Sequence, residues 1–413
     1  MPTNPLTLTD LLSLNNMGAY YEHKVLTEAP YLSENYFPAQ KIGSNALKYL
    51  QTSVSAPVLA NASNYDAQSL PTNRDDFQEQ LFSTQFFRDE SVLNESDIME
   101  IEQAYANNDD AYLATLIGNL FDDKTKGLSS MRARREWLGM QALMNGKIDM
   151  HSNGIHLQLD YGGKQEFQQD ATTDWSDAKE ANVMKDIRMA LDEMRKFGLK
   201  PNQIIMNTNT FRWLQSSEKL KSTVPTQNIN IANGELFDSQ VGDFFAQIFK
   251  LNIVCYDGQY QDSDVDDRQH SNQGFHSYIP DGKVVLMNAP LPDAAFLIPT
   301  SLARPVVTTG GGMQTVGKMN FAPTPEEYGM RSGKFPAGSV QLFDTGVAFH
   351  EYQNDKYYRT EDITSMNVLP SLEGATQIFR MNVTGQSSDN GSAPKTDNSQ
   401  SNGNSGQTTP PKA

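Results

Sequence analysis

Cysteine is nearly absent from this sequence: Cys255 is the single thiol in 413 residues, so no intrachain disulfide can form. A reducing folding compartment is the simplest reading. Long apolar runs are missing too, and nothing approaches the roughly 20 consecutive apolar residues that span a bilayer. The opening Met1-Pro2-Thr3-Asn4-Pro5 has neither a basic cluster nor an apolar core, so no secretory signal is expected. Positive charge is scarce, with 33 Lys and Arg against 50 Asp and Glu and a net charge of −17. That balance excludes a protein whose main task is gripping nucleic acid, but not one that encloses it.

Catalytic and ligand-binding signatures are missing as well. There is no Gly-x-Ser-x-Gly. Gly310-Gly311-Gly312 is not followed by Lys-Ser/Thr, so it reads as a flexible turn rather than a phosphate loop. Asp262, Asp264, Asp266 and Asp267 lack the glycine and terminal glutamate of a calcium loop and read as a solvated acidic stretch. His151 and His156 flank Ser152-Asn153-Gly154 with no further Cys or His close by, which favours a hairpin over zinc. Cys255, between Val254 and Tyr256 in an apolar strand, reads as a buried inert thiol. No catalytic residue, cofactor or metal is expected.

What is present is an ordinary soluble composition, 38% hydrophobic and 20% charged, on a chain long enough for roughly two or three domains. The most legible stretch is Ser129 to Asp160. Capping hydroxyls at Ser129 and Ser130, good helix formers and an Asn145-Gly146 stop predict a helix. Met131, Leu138 and Ala142 form one stripe, with Trp137, Met140 and Met144 beside it. Lys147 to His151 and Ile155 to Asp160 then read as a hairpin. The arginines suit a solvated surface helix or a helix that meets a partner.

Arg132-x-Arg134-Arg135-Glu136-Trp137, then Gln141-Ala142-Leu143, Gly146-Lys147-Ile148 and Asp160-Tyr161-Gly162, resemble the spine-helix region of lambda-type major capsid proteins. These form the protein E family of tailed phages and share the shell fold named after the phage Hong Kong 97. The flanking chain follows the same order. Tyr36-Phe37-Pro38 opens a long extended excursion, and Phe77, Phe82, Phe86 and Phe87 are placed to anchor its return. Glu95 to Phe121 is helical in pieces, with breaks at Asn107 to Asp110 and Lys124 to Gly127. Asp170 to Phe197 is the strongest amphipathic helix, capped around Thr173 to Ser176. Gln203 to Asn207, Ile253 to Tyr256, Lys283 to Met287 and Ala295 to Ile298 read as strands. So do Val340 to Phe343, Val347 to Tyr352 and Gln377 to Val383, the last expected to rejoin the sheet begun near Ile148. Leu297-Ile298-Pro299 and Tyr328-Gly329 match the family's later landmarks. Thr384 to Ala413 is too polar to fold and is expected to be disordered.

The resemblance implies an α+β, Hong Kong 97-type capsid fold in segments. These are an N-terminal arm (1–35), an extended β-loop or E-loop (36–88), a spine helix with peripheral domain (89–170) and an α/β axial domain (171–300). A return to peripheral strands (301–383) and a tail (384–413) complete it. No fused scaffolding domain is expected at the N-terminus. It implies a head protein that self-assembles as pentamers and hexamers around phage DNA, without sequence-specific binding and without a membrane. Its partners would be scaffold, portal and decoration proteins, and it would pass from host cytoplasm to virion. Arg132, Arg134, Arg135, Glu136, Tyr49 and Lys48 are the candidate contacts between subunits. A tail-tube protein or a soluble α/β enzyme are the alternatives.

Overall fold

The computed structural model describes residues 14–27, 30–51, 78–107, 110–224, 236–261, 275–301, 305, 313, 315–336, 338–354 and 359–384. The acidic Asp262 to Asp267 stretch, the three glycines at 310–312, Phe77, the middle of the extended excursion and the tail beyond Thr384 lie outside these residues.

The described chain begins with α1 (Leu14–Thr27) and α2 (Leu32–Tyr36), followed by strands β1 (Ala39–Lys41), β2 (Ala46–Gln51), β3 (Gln78–Ser83) and β4 (Gln85–Leu93). Helices α3 (Glu95–Ala106) and α4 (Asp110–Asn145) lead into the hairpin β5 (Lys147–Ser152) and β6 (Ile155–Asp160). Next come β7 (Gln168–Asp170), α5 (Val183–Lys196), β8 (Gln203–Met206), α6 (Thr208–Ser216), α7 (Glu218–Thr223) and α8 (Asp238–Phe244). Strands β9 (Asn252–Cys255), β10 (Gln259–Gln261), β11 (Phe275–Ser277), β12 (Lys283–Met287) and β13 (Lys318–Ala322) follow. The chain closes with α9 (Pro325–Arg331), β14 (Val340–Phe343), β15 (Val347–Asn354), β16 (Arg359–Ser371) and β17 (Phe379–Asn382).

Two larger sheets organise these elements. A six-stranded sheet runs β1-β13-β16-β15-β14, with β4 on the free edge of β16. The second is mixed and five-stranded, β7-β17-β12-β8-β9. Its strands β8 and β12 are apolar and buried beyond their first residues, Gln203 and Lys283, as strands covered on both faces must be. One apolar core surrounds α4 and takes in the six-stranded sheet and one face of the second sheet, through Ile205, Val254, Val285 and Met287; a second core fills the other face. Leu138, Met140, Leu143, Phe321, Phe349 and Val368 lie in the first, with α4. Trp175, Ile187, Met194, Ile204, Leu214, Phe245 and Phe379 lie in the second.

The 36-residue α4 is about 54 Å long at the usual rise per residue. It runs unbroken through Lys124 to Gly127, where the sequence suggested an interruption, and Ser129 and Ser130 are interior rather than capping residues. Gly127 is there because β16 presses close: an added Cβ would lie 2.6 Å from Thr364 Oγ1. The stop at Gly146 is as expected, in the left-handed region at φ 68°.

Other departures have local causes. The helix expected from Asp170 starts at Val183, capped by Asn182. Asp186 is fully buried and gathers the preceding segment around itself: its carboxylate accepts Thr172 N–H at 3.0 Å and Trp175 Nε1–H at 2.9 Å. Trp175 therefore plugs the core instead of capping a helix. Residues 294–296 form a single 3-10 turn, with one bridge from Leu297 to Val254 in place of a strand. β17 pairs with β12 and β7, not with the hairpin after Ile148, whose two strands pair only with each other among the described residues. Within the segment expected as an N-terminal arm, α1 and α2 pack on α4, through Tyr20 against Phe121 and Ser33 against Glu136.

Candidate assembly surface

The four charged candidates on α4 fall on faces set by helical periodicity, and most of them turn toward their own chain. Arg132 donates two hydrogen bonds to the Glu34 carboxylate, at 2.8 and 3.0 Å, and lies 4.8 Å from the Tyr31 ring centre. Arg135 donates to Asp344 at 2.9 Å, and Asp344 also accepts from the Tyr21 hydroxyl at 3.1 Å. Glu136 is fully buried and accepts from the Ser33 N–H at 3.0 Å and from the Ser33 hydroxyl. Burial pushes its carboxyl up to about 7. The sequence reading offered these three to a neighbouring chain. The structure gives them partners at home, because α1, α2 and the turn after β14 carry the matching groups. Arg134 differs. Half-exposed, it rests between the Phe87 and Trp137 rings at 5.8 and 5.5 Å.

Tyr49 and Lys48 separate for the reason alternate strand residues always do. On the antiparallel β2–β3 ribbon Tyr49 turns inward, 6.1 Å from Phe82, and Phe82 meets Tyr161 edge-on at 5.6 Å. Lys48 turns outward, opposite Leu81 in the register. Leu81 is 60% exposed. The sequence reading missed it, although the alternation Leu47, Lys48, Tyr49 marks which face of the ribbon is outward.

Also missed were the buried charges that join distant elements. Lys124 lies 3.0 Å from Glu351 and 3.6 Å from Asp362, whose carboxyl burial pushes up to about 6. Arg88 and Ser365 both donate to Glu326, and Lys41 pairs with Glu327 at 2.8 Å. Arg380 on β17 reaches the end of α4, donating to Leu143 O at 2.9 Å and Ala142 O at 3.3 Å. Single residues of that kind, far apart in sequence, give no local signal.

What these groups do is hold strands to helices; none is arranged around a reacting atom. The open groove beside α9, of about 730 Å³, is lined by Arg88, Glu326, Tyr328, Phe335, His350 and Tyr352. Its carboxylate is already engaged by Arg88 and Ser365. Large apolar side chains stand out elsewhere: Phe275 is 77% exposed, Phe237 64% and Ile248 55%. They lie on separate elements around the second sheet, where a closed monomer gains nothing from them. On the β5–β6 hairpin the fold brings Asp149 beside both His151 and His156. No helix among the described residues is long and apolar enough to cross a membrane.

A long helix beside a strand-rich sheet, a second mixed sheet flanked by helices and a two-stranded ribbon together make the Hong Kong 97-type fold of phage shell subunits. The protein assigned as capsid protein of an E. coli CFT073 prophage has this fold. It is 15% identical over 90% of this chain and 99% of its own, with a TM-score of 0.51. A phage-related protein of Bordetella bronchiseptica RB50 is 11% identical over 89% and 96%, with a TM-score of 0.47. The cyanophage A-1(L) capsid is 8% identical over 86% and 92%, with a TM-score of 0.46. No curated protein sequence matches the chain. The family model described as phage major capsid protein E matches residues 13–300, and the chain belongs to that family. It is a shell-forming head protein, in a structural rather than enzymatic family. The match starts earlier than the resemblance read from Tyr36 onward and stops before the β-rich return.

Proposed function

We propose that this head protein clusters as pentamers and hexamers in an icosahedral shell around phage DNA. In this reading the α/β unit of residues 171–300 gathers about the five- and six-fold axes as the axial domain. The long helix and six-stranded sheet form the spine and peripheral domain. The ribbon between residues 46 and 83 is the base of an extension loop laid on the next subunit. The observation that carries this is the two-sided character of the ribbon, whose inner face packs on the main core while its outer face is left uncovered. Among the described residues β2 and β3 pair with nothing but each other, and a lone two-stranded ribbon is marginal in water. Its outer face, with Lys48 and the exposed Leu81, becomes stable when another chain covers it. Lys48 and Arg134 then remain the contact candidates from the sequence. Arg132, Arg135, Glu136 and Tyr49 serve by fixing the surface that the neighbour meets.

Assembly would begin in the host cytoplasm and end in the virion, with portal, scaffold and decoration proteins as partners. A net charge of −17 suits a wall that should not adhere to packaged DNA. Electron microscopy of the purified full chain at high concentration tests the reading. Rings, tubes or closed particles with five- and six-fold clusters are expected. A monodisperse monomer under all assembly conditions would overturn it.

A further inference from the structure

We propose that the exposed face of the β5–β6 hairpin binds one divalent transition-metal ion of the zinc type, through His151, His156 and Asp149. Three features converge there. The register places His151 directly opposite His156, while Asp149 lies two residues before His151 and so on the same face. The rings stack 3.8 Å apart, within 16° of parallel. Both Nε2 atoms address one carboxylate oxygen, Asp149 Oδ1, at 3.5 Å from His151 and 3.0 Å from His156. In a tetrahedral zinc site with metal–ligand bonds of about 2.0–2.1 Å, ligand atoms stand roughly 3.3–3.4 Å apart. The two carboxylate–imidazole distances already bracket that edge, and all three donor atoms lie within 4.8 Å of one another. A metal lies in the plane of each imidazole it binds, so ligation requires one ring to turn out of the stack about its side-chain torsions, which the exposure of both histidines allows.

The scaffold beneath is rigid enough to hold it. Ile148 and Met150, on the opposite face of β5, are buried in the main core. Asn153 and Gly154 take positive φ of 48° and 72°, the two-residue turn that fixes hairpin register. Two imidazoles and one carboxylate leave a tetrahedral ion one open position for water. The chemistry is that of zinc, with cobalt(II) as a spectroscopic stand-in; oxygen-seeking magnesium or calcium would not select two imidazoles. The metal would clamp the ribbon at the foot of the long helix.

The test uses the purified full chain, dialysed against chelator and titrated with zinc chloride in a calorimeter and with cobalt(II) in a spectrophotometer. A double variant, His151→Gln with His156→Gln, is the reference that cancels binding at every other histidine, carboxylate or thiol. The wild type should bind one more zinc per chain than the reference and show tetrahedral cobalt absorption that the reference lacks. Asp149→Asn should weaken binding by about 10- to 100-fold. All three positions are exposed, and unchanged circular dichroism would confirm that the variants fold. Equal zinc uptake by wild type and double variant, or none by either, would overturn the proposal.

Discussion

Around Trp175 and Ile204 the interior is apolar or uncharged apart from Asp186, while around the long helix Lys124, Arg132, Glu136 and Asp362 are buried among leucines and methionines. The partners differ in range as much as in kind. Asp186 takes its donors from Thr172 and Trp175, 14 and 11 residues away. Glu34 and Arg132 are 98 residues apart, Arg135 and Asp344 209, Lys124 and Glu351 227. The buried carboxylate of the α/β unit therefore finds its donors close in sequence, although the sheet there is completed by the distant pairing of β17 with β12 and β7. The spine and its sheet come together only after distant segments have met, and buried ionic groups there select one arrangement more than they add stability. A subunit that must present a defined surface to its copies gains from such selectivity; we offer that as the reason for the contrast.

The sharpest way to break the contrast is to remove Arg380, a buried charge that joins the two regions. Arg380→Ala leaves the Leu143 carbonyl, at the buried end of α4, without its guanidinium donor, while Ala142 O keeps the Gly146 N–H. It also opens a cavity, and the expected loss is about 3 kcal/mol or more. Urea unfolding followed by tryptophan fluorescence and circular dichroism should then resolve two transitions in place of one. Coincident transitions with an unshifted midpoint would mean that the regions are not coupled through Arg380.

Glu136 gives the next largest effect, through pH. Its carboxyl is raised to about 7 by burial, above an ordinary value near 4.5. Between those values the folded chain holds a proton that the unfolded chain has lost, so stability falls as pH rises from about 4.5 to 7 and then levels off. The drop attributable to this group is about 3 kcal/mol. Glu136→Gln should flatten that part of the stability profile while retaining an acceptor for Ser33. An unchanged slope in the variant would remove Glu136 as its source.

How much could be read beforehand follows the same division. Strands β8 and β12 and the Gly146 stop were legible, because apolar runs and glycine stops are local signals. The start of α5 was not, because the buried side chain of Asp186 overrides the capping pattern at Thr173 to Ser176. The 13-residue β16, the strand on which β4, β13 and β15 all pair, was missed although its flanks were identified. Its sequence mixes Asp362, Thr364, Ser365 and Asn367 with apolar residues because both of its faces are covered and its polar groups find partners there. Among the candidate contacts, periodicity placed Arg132, Arg135 and Glu136 on the helix but could not reveal Ser33, Glu34 or Asp344 waiting for them.

A smaller effect, with a sign that can be read, comes from two glycines in α4. Nothing lies within 4 Å of a Cβ added at Gly118, so Gly118→Ala should stabilise by up to about 1 kcal/mol through helix propensity. At Gly127 the same gain is opposed by Thr364 Oγ1 at 2.6 Å, and Gly127→Ala should cost about 1–3 kcal/mol. Opposite signs would confirm that β16 dictates the residue chosen at 127. If both variants gained stability, the helix and sheet would not be in such close contact.

The smallest expected effect on the chain itself is at Leu81. Its side chain is 60% exposed on the outer face of the ribbon, so Leu81→Asp should change the stability of the unassembled subunit by no more than about 0.5 kcal/mol. If another copy covers that face in the shell, as proposed, the same carboxylate would be desolvated without a partner at every equivalent contact. Unfolding of the unassembled subunit and particle yield by sedimentation should therefore disagree: an unaltered midpoint, and a collapse in closed particles. Lys48→Glu, on the neighbouring outward position, gives the milder counterpart, since a surface charge reversal is partly screened by salt. If Leu81→Asp subunits assembled as well as wild type, the ribbon would stand free in the particle, and the contact between copies would have to be sought at Phe237, Ile248 and Phe275 instead.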